Sequence, residues 1–461
     1  MRKRFRYAVL IFSLWLLFLV LCLIVPPLFH KKAGCSAGTN TAKYTSEAEE
    51  RIRCIDDNKE ALIWRLRLIE AARERIILTT FDFRDEESGQ DIMSALWKAA
   101  QRGVEVRILV DGINGEYFLS NSDHFMQLVS HEQVEARFYN PIDLIRPWKT
   151  NYRMHDKYLI ADDWGYILGG RNTDNRFLGY YKESYNEDRD LLVYETDPGQ
   201  GSSFQALEVY FDEIWNQPCC KEFDRKGGAG GLEQCYDRVR ERYPEAFDRI
   251  YLKQDWEEAT VKTKGIRLWT NPVKPENKEP VVWEQMLGAM EGEKDILVQT
   301  PYMICSKEMY EDLRSVCEKG ARVDILINAV ESGTNPFGCT DYLNQKRKLR
   351  QTGVHIYEYL GDQAQHTKSL AVGESLSIIG SCNFDMRSVY LNTEMMLAVE
   401  CPELNASIRK QAQALKEKSR HMSPDGRIED GEAYETREQD MIKKTVYGIL
   451  RAVIWPFRHV L

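Results

Sequence analysis

The sequence predicts an α/β fold in which one layered domain occurs twice, behind a single helix that spans a membrane. Apolar, β-rich segments alternate with amphipathic segments, and the same order of elements recurs after about two hundred residues, which indicates a duplicated domain. Long apolar strands between helices are typical of a buried and largely parallel sheet. A long uncharged apolar run near the N-terminus predicts the membrane helix.

The membrane helix is predicted over residues 7–29, within an anchor segment that covers residues 1–45. About twenty apolar residues at ~1.5 Å each are enough to cross a bilayer. Four basic residues precede the run and only Lys31 and Lys32 follow it closely, so the positive-inside rule predicts a cytoplasmic N-terminus and an extracytoplasmic remainder. We therefore expect a single-pass protein of the cell membrane. A cleaved signal peptide is the alternative, which the length of the run and the lack of a small-x-small cleavage site disfavour.

The first copy of the domain is predicted over residues 46–250. It opens with a helix over 46–74, for which Ser46 and the acidic residues after it provide an N-terminus. Two further helices are predicted over 91–103 and 204–215. Six strands are predicted over 76–83, 104–112, 134–140, 157–162, 166–170 and 190–195.

The second copy is predicted over residues 251–420 and repeats this order. Its helices are predicted over 307–320 and 403–418, and a charged linker with little apolar content follows over 421–440. Its strands are predicted over 295–302, 321–329, 354–360, 368–374, 376–381 and 394–400.

The C-terminal segment, residues 441–461, is predicted to form a basic amphipathic helix. Helical spacing gathers its apolar side chains on one stripe, formed by Ile442, Val446, Ile449, Leu450 and Ile454. Such a helix can lie in a membrane interface or dock on its own domain, and the sequence leaves both interpretations open.

Charge and cysteine content narrow the class of protein. A net charge of −9 argues against a nonspecific nucleic-acid binder, which usually has a basic surface. Eleven cysteines are present, and the ten outside the apolar run could form disulfides on the outer face, Cys219, Cys220 and Cys235 being close enough in sequence for a local bridge. Buried free thiols are an equal alternative. No cysteine or histidine spacing is typical of a zinc site.

Two short stretches carry the chemistry on which a functional prediction depends. In each, a lysine follows a histidine by two residues and an asparagine follows it by seventeen. One such motif occurs often by chance, whereas two at equivalent places of a duplicated domain are a strong signal. The residues are His155, Lys157 and Asn172 in the first stretch and His366, Lys368 and Asn383 in the second.

This spacing has a geometric reason. A histidine and a lysine two apart on a strand point to the same face, and the next strand returns the asparagine to that face. If the two copies meet about a pseudo-twofold axis, one pocket contains two imidazoles, two ammonium groups and two amides. In-line displacement at phosphorus needs a nucleophile on one side and a proton donor on the other, while the cations and amides stabilise charge on the phosphate. This chemistry requires no metal and no cofactor. Paired core histidines are the alternative, which the double motif disfavours.

A histidine that acts as a nucleophile must be held in one tautomer through its second ring nitrogen. Each copy has a carboxylate at the start of a later strand, Asp190 in the first and Glu394 in the second. We predict that these two residues orient the histidines. The alternative is that they are ordinary acids at a strand edge.

The two motifs resemble the signature of the phospholipase D superfamily, H-x-K-x4-D followed by G-[GS]-x-N. The first stretch matches it in full, with Asp162 as the motif acid, whereas Gly373 occupies that position in the second. The resemblance extends from about residue 60 to about residue 415 and implies two phospholipase D-like halves with the active site at their interface. The GGRN, SCNFDMRS, LNTEM and FDEIWN stretches resemble bacterial cardiolipin synthases.

The resemblance implies a mechanism through a covalent phosphohistidine, with His155 as the nucleophile and His366 as the general acid. For cardiolipin synthesis, both substrates are phosphatidylglycerol and glycerol leaves. Two alternatives remain: a hydrolase of phospholipids or DNA that uses the same chemistry, and a catalytically inactive membrane-bound binding protein. The membrane anchor favours a lipid over a nucleic acid as the partner.

Overall fold

The computed structural model describes residues 2–29, 49–224, 227–247, 253–439 and 441–461. Two nine-stranded sheets and the helices around them form the described part of the chain. The helices are α1 Arg2–Ile24, α2 Asn58–Ala71, α3 Glu87–Gln101, α4 Gly112–Phe118, α5 Asp123–Val129, α6 Ser202–Trp215, α7 Leu232–Arg242, α8 Lys253–Ala259, α9 Val281–Met290, α10 Lys307–Glu318, α11 Pro336–Arg350, α12 Met386–Tyr390, α13 Pro402–Glu417 and α14 Met441–Val453.

The strands divide between the two sheets and two short ladders. They are β1 Glu50–Ile55, β2 Arg75–Thr80, β3 Glu105–Asp111, β4 Val134–Tyr139, β5 Tyr158–Ala161, β6 Gly165–Gly169, β7 Asn186–Glu187, β8 Asp190–Glu195, β9 Cys220–Glu222, β10 Val261–Lys262, β11 Gly265–Thr270, β12 Asp295–Gln299, β13 Met303–Ile304, β14 Arg322–Asn328, β15 His355–Tyr359, β16 Ala364–Gln365, β17 Ser369–Val372, β18 Leu376–Gly380, β19 Phe384–Asp385, β20 Met395–Glu400, β21 Ser419–Met422 and β22 Ile428–Asp430.

The duplication is confirmed by the order of the strands. The first sheet runs β10-β1-β8-β6-β5-β2-β3-β4-β9 and the second runs β11-β20-β18-β17-β12-β14-β15-β21-β22. From β1 to β9 and from β11 to β21, the two orders match strand by strand. Each half therefore has the same scaffold, with α2 and α3 packed on the first sheet and α9 and α10 among the elements packed in the core of the second.

The sheets are buried, as predicted, but the prediction that they are largely parallel is wrong. Within the two nine-stranded sheets, the parallel pairs join β2, β3 and β4 in the first sheet and β12, β14 and β15 in the second. The other pairs in these sheets are antiparallel. Two of them, β5 with β6 and β17 with β18, are joined by three-residue turns. A connection this short cannot make the crossover that parallel neighbours need.

The predicted helix over 46–74 is wrong in its first part. Strand β1 occupies Glu50–Ile55 and pairs antiparallel with β8, from Glu50 opposite Glu195 to Ile55 opposite Asp190. Helix α2 begins only after Asp57, whose side chain accepts a hydrogen bond from the backbone N–H of Glu60. The sheet pairing overrides the local helix preference, which is a weak prior. Ser46 lies outside the described residues.

Segments beyond the predicted elements also join the two sheets. Strand β10, which belongs to the predicted second copy, pairs with β1 of the first sheet. Strand β22 lies in the predicted linker and extends the second sheet next to β21. Helices α9 and α11 lie in stretches for which no helix was predicted. The cysteines of the described residues are all free thiols, which is the second of the two alternatives.

The N-terminal helix is long and apolar enough to cross a membrane over Phe5–Phe29. Its side chains are mostly exposed, and its C-terminal end contacts the globular body through backbone oxygens. The amide of Asn151 donates to the Leu23 oxygen at 2.6 Å, and the His459 ring lies 2.7 Å from the Ile24 oxygen. The C-terminal helix α14 packs against α11, so the docked interpretation holds for one of its faces.

Candidate active site

The two predicted histidine motifs converge on one cavity of about 420 Å³ between the halves. In each sheet the parallel strands end at the same edge, and the segments that follow these strands form the walls of the cavity. Phe81 and Asp82 follow β2, Tyr302 follows β12, and the segment that includes Asn335 follows β14. Ligand sites are expected at this edge of an open α/β sheet. His155, His366, Asn172 and Asn383 all line the cavity.

His155 is anchored by a carboxylate of the other half. Its Nδ1 lies 2.9 and 3.1 Å from the two oxygens of Glu394, and its backbone N–H donates to the hydroxyl of Thr393 at 3.1 Å. The edge of the Phe81 ring packs against the imidazole. While Glu394 is ionised it can only accept, so Nδ1 then carries the proton and Nε2 keeps its lone pair toward the cavity. Burial and the charges of Lys157 and Lys368 hold the pKa of His155 well below its usual value.

His366 is anchored in the equivalent way by Asp188. The Nδ1 atom lies 2.6 Å from Asp188 Oδ2, and the backbone N–H donates to the Glu187 backbone oxygen at 2.7 Å. Phe177 packs against the ring as Phe81 does in the other half. Burial and the charge of Lys368 lower the pKa of His366 to about 4. The imidazole is therefore neutral at pH 7 in the empty site.

The prediction that Asp190 orients a histidine is wrong, and Asp188 takes that place. Asp190 is buried and binds Arg65 at 2.9 Å and Arg171 at 3.2 Å, which are structural ion pairs beneath the site. The strand register explains the error. Gly169 pairs with Asp190 and Gly380 pairs with Met396, so the residue equivalent to Glu394, two before Met396, is Asp188.

A sequence signal could have found Asp188. The stretch Asn186-Glu187-Asp188 matches Asn392-Thr393-Glu394, with an asparagine two residues before the acid in both. When the two halves are aligned at this asparagine, Asp188 corresponds to Glu394, as in the structure. Alignment at the first acidic residue before the apolar strand pairs Asp190 with Glu394 instead. Of the two predicted orienters, Glu394 contacts a histidine and Asp190 does not.

Each histidine is positioned by a strand segment that crosses to the other half. Met154 forms a parallel bridge with Thr393, and β16, which ends just before His366, pairs in parallel with β7. Both bridges are formed by the residue directly before the histidine, Met154 in one half and Gln365 in the other. The two halves are therefore related by an approximate twofold axis. The residue that follows each bridge is the orienting acid, because Glu394 follows Thr393 and Asp188 follows Glu187. Each histidine is therefore held by a carboxylate from the other half.

Both motif lysines are buried beside the histidines. Lys157 Nζ donates to the His155 backbone oxygen, and Lys368 Nζ lies against the His366 ring, 3.5 Å from Asp188 Oδ2. Burial lowers the pKa of Lys157 to about 7, and it also lowers the pKa of Lys368. A buried cation whose pKa is lowered in this way gains stability when an anion binds next to it. The cavity is thus suited to an anionic group.

The two asparagines and the residues before them complete the lining. Asn172 and Asn383 each have a buried amide oxygen without a hydrogen-bond partner among the described residues. Rotation of the side chain exchanges the oxygen and the NH2 group, so each amide can donate to a phosphate oxygen.

The second residue of the G-[GS]-x-N motif makes contact with the orienting acid. A Cβ atom on Gly170 would lie 2.4 Å from the Asp188 carboxylate, so only glycine leaves room for it. Ser381, at the equivalent position, donates to Glu394 at 2.5 Å instead. At this motif position, glycine leaves room for Asp188 and serine supplies a hydrogen bond to Glu394.

Asp162 does not reach the cavity. It follows β5 at φ +50°, and its carboxylate accepts from the backbone N–H groups of Arg73, Glu74 and Arg75. Gly373 occupies the equivalent turn at φ +56°, where glycine adopts the left-handed conformation without strain. The motif acid therefore stabilises a turn of the scaffold, and its replacement by Gly373 leaves the lining of the cavity intact.

The chain matches the family model described as "Cardiolipin synthase, PLD-like domain" over residues 66–215 and 287–416. It is 26% identical over 414 residues to cardiolipin synthase C of Escherichia coli, which covers 77% of this chain and 82% of that protein. It is 25% identical over 384 residues to cardiolipin synthase of Oceanobacillus iheyensis, covering 83% of this chain and 71% of that protein.

Among solved structures, the fold is similar to that of phosphatidylserine synthase from Haemophilus influenzae. The TM-score is 0.64 at 14% identity, over 92% of this chain and 99% of that one. This likeness concerns the fold, while the family match covers both halves and both histidine motifs. The chain therefore belongs to the phospholipase D superfamily, in the family of cardiolipin synthase PLD-like domains.

Proposed function

We propose that this protein is a phosphatidyltransferase that makes cardiolipin from two molecules of phosphatidylglycerol and releases glycerol. The observation that carries the proposal is the pair of histidines that line one cavity, each with Nδ1 against a carboxylate. Nε2 of His155 is then left to act on a phosphate, and Nε2 of His366 lies 3.1 Å from the Lys368 ammonium. The family and the names of the relatives in Escherichia coli and Oceanobacillus iheyensis support a phospholipid substrate.

In the proposed reaction, His155 Nε2 attacks the phosphorus of the first phosphatidylglycerol. A nitrogen–phosphorus bond forms, the bond from phosphorus to the head-group glycerol oxygen breaks, and His366 gives its proton to that oxygen. The head-group hydroxyl of the second phosphatidylglycerol then attacks phosphorus, gives its proton to His366 and releases His155. Lys157, Lys368 and the two asparagines stabilise the non-bridging oxygens throughout.

The difference between the two carboxylates supports this assignment of roles. Burial would raise the pKa of Asp188, but the charges of Lys368 and His366 outweigh it and hold that pKa below its usual range. An ionised Asp188 stabilises an imidazolium on His366, which a general acid needs. Burial raises the pKa of Glu394 to about 7. A carboxylate with this raised pKa can accept the Nδ1 proton of His155 as the bond from Nε2 to phosphorus makes the ring cationic, which suits the partner of a nucleophile.

Binding of the substrate prepares the acid. The phosphodiester brings one negative charge into a cavity whose imidazoles and lysines have lowered pKa values. A nearby anion raises the pKa of a cationic acid, so His366 becomes easier to protonate once the lipid is bound. The predicted orientation of α1, with its basic N-terminal flank in the cytoplasm, puts this chemistry on the outer side of the membrane.

The test of the proposed function is product analysis with the full chain in vesicles that contain phosphatidylglycerol. Cardiolipin with an equal amount of glycerol supports the proposal. Phosphatidic acid in place of cardiolipin would make the protein a hydrolase, and no turnover with bound lipid would make it a binding protein. Both of the last two outcomes contradict the proposal.

The roles of the histidines can be separated with a lipid whose head group is p-nitrophenol, a leaving group that needs no proton. We expect His366→Ala to form the phosphohistidine from this lipid, because attack by His155 requires no acid here, whereas His155→Ala forms none. The adduct is detected by mass spectrometry after rapid acid-free quenching. An adduct on His366 in the wild-type chain would reverse the assignment.

A further inference from the structure

The C-terminal helix α14 presents an apolar stripe to solvent. Ile442, Val446, Ile449 and Val453 recur at helical spacing, and each is 44–73% exposed. Tyr447, on a neighbouring face, is buried in the core of the second half, and Ile454, directly after the helix, is buried as well. The helix is therefore docked through one face and leaves a second apolar face uncovered within the described part of the chain.

A second exposed apolar group lies in the loop after β4. Ile142, Leu144 and Ile145 are 51%, 80% and 86% exposed. Clustered exposed aliphatic side chains of this kind mark an interaction surface in an otherwise soluble body. We call this loop group, together with the stripe of α14 and the exposed Trp455, the apolar rim.

Both parts of the apolar rim lie beside the end of the membrane helix. The loop leads directly into Pro147–Asn151, which packs against α1 and holds the Leu23 oxygen through Asn151. Helix α14 leads directly into Trp455–Val460, which contains His459, the residue against the Ile24 oxygen. Each part of the rim is therefore joined to a segment that contacts the end of the apolar helix.

The apolar rim also lies on the side of the candidate active site. The loop at 142–145 follows β4, whose C-terminal end shares a sheet edge with the ends of β2 and β3. Lys443 of α14 donates to the backbone oxygens of Glu331 and Gly333, in the segment that forms one wall of the cavity. Phe337, which is 44% exposed, stands between that wall and solvent.

Charge on α14 fits a phospholipid surface. Lys444 and Arg451 are exposed and lie on the side of the helix away from the apolar stripe. A helix with an apolar face and basic residues on the polar face is typical of one that lies in the plane of a membrane interface. The polar face, from which Arg451 Nε donates to Asn344 Oδ1 of α11 at 2.9 Å, then lies away from the lipid tails.

We infer that the apolar rim inserts into the head-group region of the bilayer that α1 crosses, in the leaflet where α1 meets the globular body. The bilayer is the occupant, rather than a second copy of the chain, because the exposed surface is continuous with an apolar helix that itself requires lipid. Two contacts, a spanning helix and an interfacial rim, fix the orientation of the body. The mouth of the cavity then faces the lipid head groups.

The test uses the full chain in vesicles of phosphatidylglycerol and phosphatidylethanolamine, with the photoreactive residue p-benzoylphenylalanine replacing one side chain at a time. Ile449 and Ile145 report on the rim, and Leu16 in α1 is the positive control. Ile428 is the matched negative control, since it is an isoleucine of similar exposure on edge strand β22. We expect lipid adducts at Ile449 and Ile145 at least about tenfold above those at Ile428.

Yields at Ile449 and Ile145 no greater than at Ile428 would overturn the inference, whatever the result at Leu16. Crosslinks from Ile449 to a second copy of the chain would overturn it too, in favour of a dimer interface. The readout does not use turnover, so it stands apart from the test of cardiolipin synthesis.

Discussion

The two halves of this protein share a backbone but differ in the polar groups that support each histidine. In the first motif His155 is held by Glu394 and Ser381 reinforces that glutamate, whereas His366 is held by Asp188. The pKa of Glu394 is raised to about 7 and that of Asp188 is lowered. A duplicated scaffold can therefore present one geometry twice and still give its two imidazoles different electrostatic surroundings.

In the proposed reaction, this difference lets a symmetric site give its two histidines different roles. Catalytic pairs are recognised by environments that push their pKa values apart. Here the carboxylates that lie behind the histidines carry that difference, while the histidines, lysines and asparagines are the same in both halves. Variants of the acids, the lysines and the motif residues, together with the pH dependence of anion binding, test how much of the proposed reaction depends on it.

The largest effects are expected from the orienting acids. Asp188→Asn and Glu394→Gln keep the shape of each carboxylate but let the amide present a donor to Nδ1, which favours the wrong tautomer. We expect turnover to fall by about 10²–10⁴ in each, as for other histidine–carboxylate pairs. Initial rates with phosphatidylglycerol vesicles measure the loss. The comparison of the halves predicts a greater change in the pH profile for Asp188→Asn, because Asp188 is the ionised partner.

Asp190→Asn is the matched control for Asp188→Asn, since Asp190 begins strand β8 and Asp188 lies two residues before it. It leaves Arg65 and Arg171 without their buried counter-ion, so we expect a loss of about 3–5 kcal/mol in the free energy of unfolding. Below the unfolding temperature its pH profile should match that of the wild type. A shifted profile would mean that Asp190 acts on the histidines after all.

The lysines come next. Lys157→Ala and Lys368→Ala each remove one buried cation beside the cavity, and we expect a loss of about 3 kcal/mol of transition-state stabilisation, or roughly 10² in turnover. Because both halves supply an equivalent cation, the two losses should be similar. A loss in one variant that exceeds the other by two orders of magnitude would show that the phosphate is held mainly by one half.

The pH dependence of anion binding follows from the lowered pKa of Lys157, which is about 7 in the empty site. A bound anion raises that pKa, so binding is strongest below pH 7, where the lysine is already charged, and weakens as the pH rises through 7 toward the pKa in the complex. Titration calorimetry with inorganic phosphate between pH 6 and pH 9 measures this. In Lys157→Met the slope should be reduced, and an unchanged slope would assign it to another group.

The smallest effect is expected at the motif position that differs between the halves. Ser381→Ala removes the hydrogen bond to Glu394 and should cost about 1–2 kcal/mol, seen as a fall in turnover of about tenfold. Gly170→Ser, which makes the first half resemble the second, should be more damaging because its Cβ atom meets the Asp188 carboxylate. Equal activities of the two variants would show that Asp188 can move without loss.

Much of the fold could be predicted from the sequence because it depends on local patterns. Most of the predicted strands agree with the structure within a few residues, and the duplication follows from their order. The strand β1 could not be predicted, since its pairing with β8 joins residues far apart in the chain. The parallel arrangement was overestimated for a similar reason, because apolar strands have the same composition in parallel and antiparallel sheets when both faces are buried.

By itself the sequence determined the apolar N-terminal helix, the repeat, and the histidine, lysine and asparagine residues at equal spacing, because each of these depends on neighbours within one segment. Only the tertiary structure decided which acid serves which histidine. His155 and Glu394 are 239 residues apart, and His366 and Asp188 are 178 apart. Each pair forms because the halves pack about an approximate twofold and exchange their acids, and such a contact arises from the packing of two folded surfaces, which no local pattern of residues encodes.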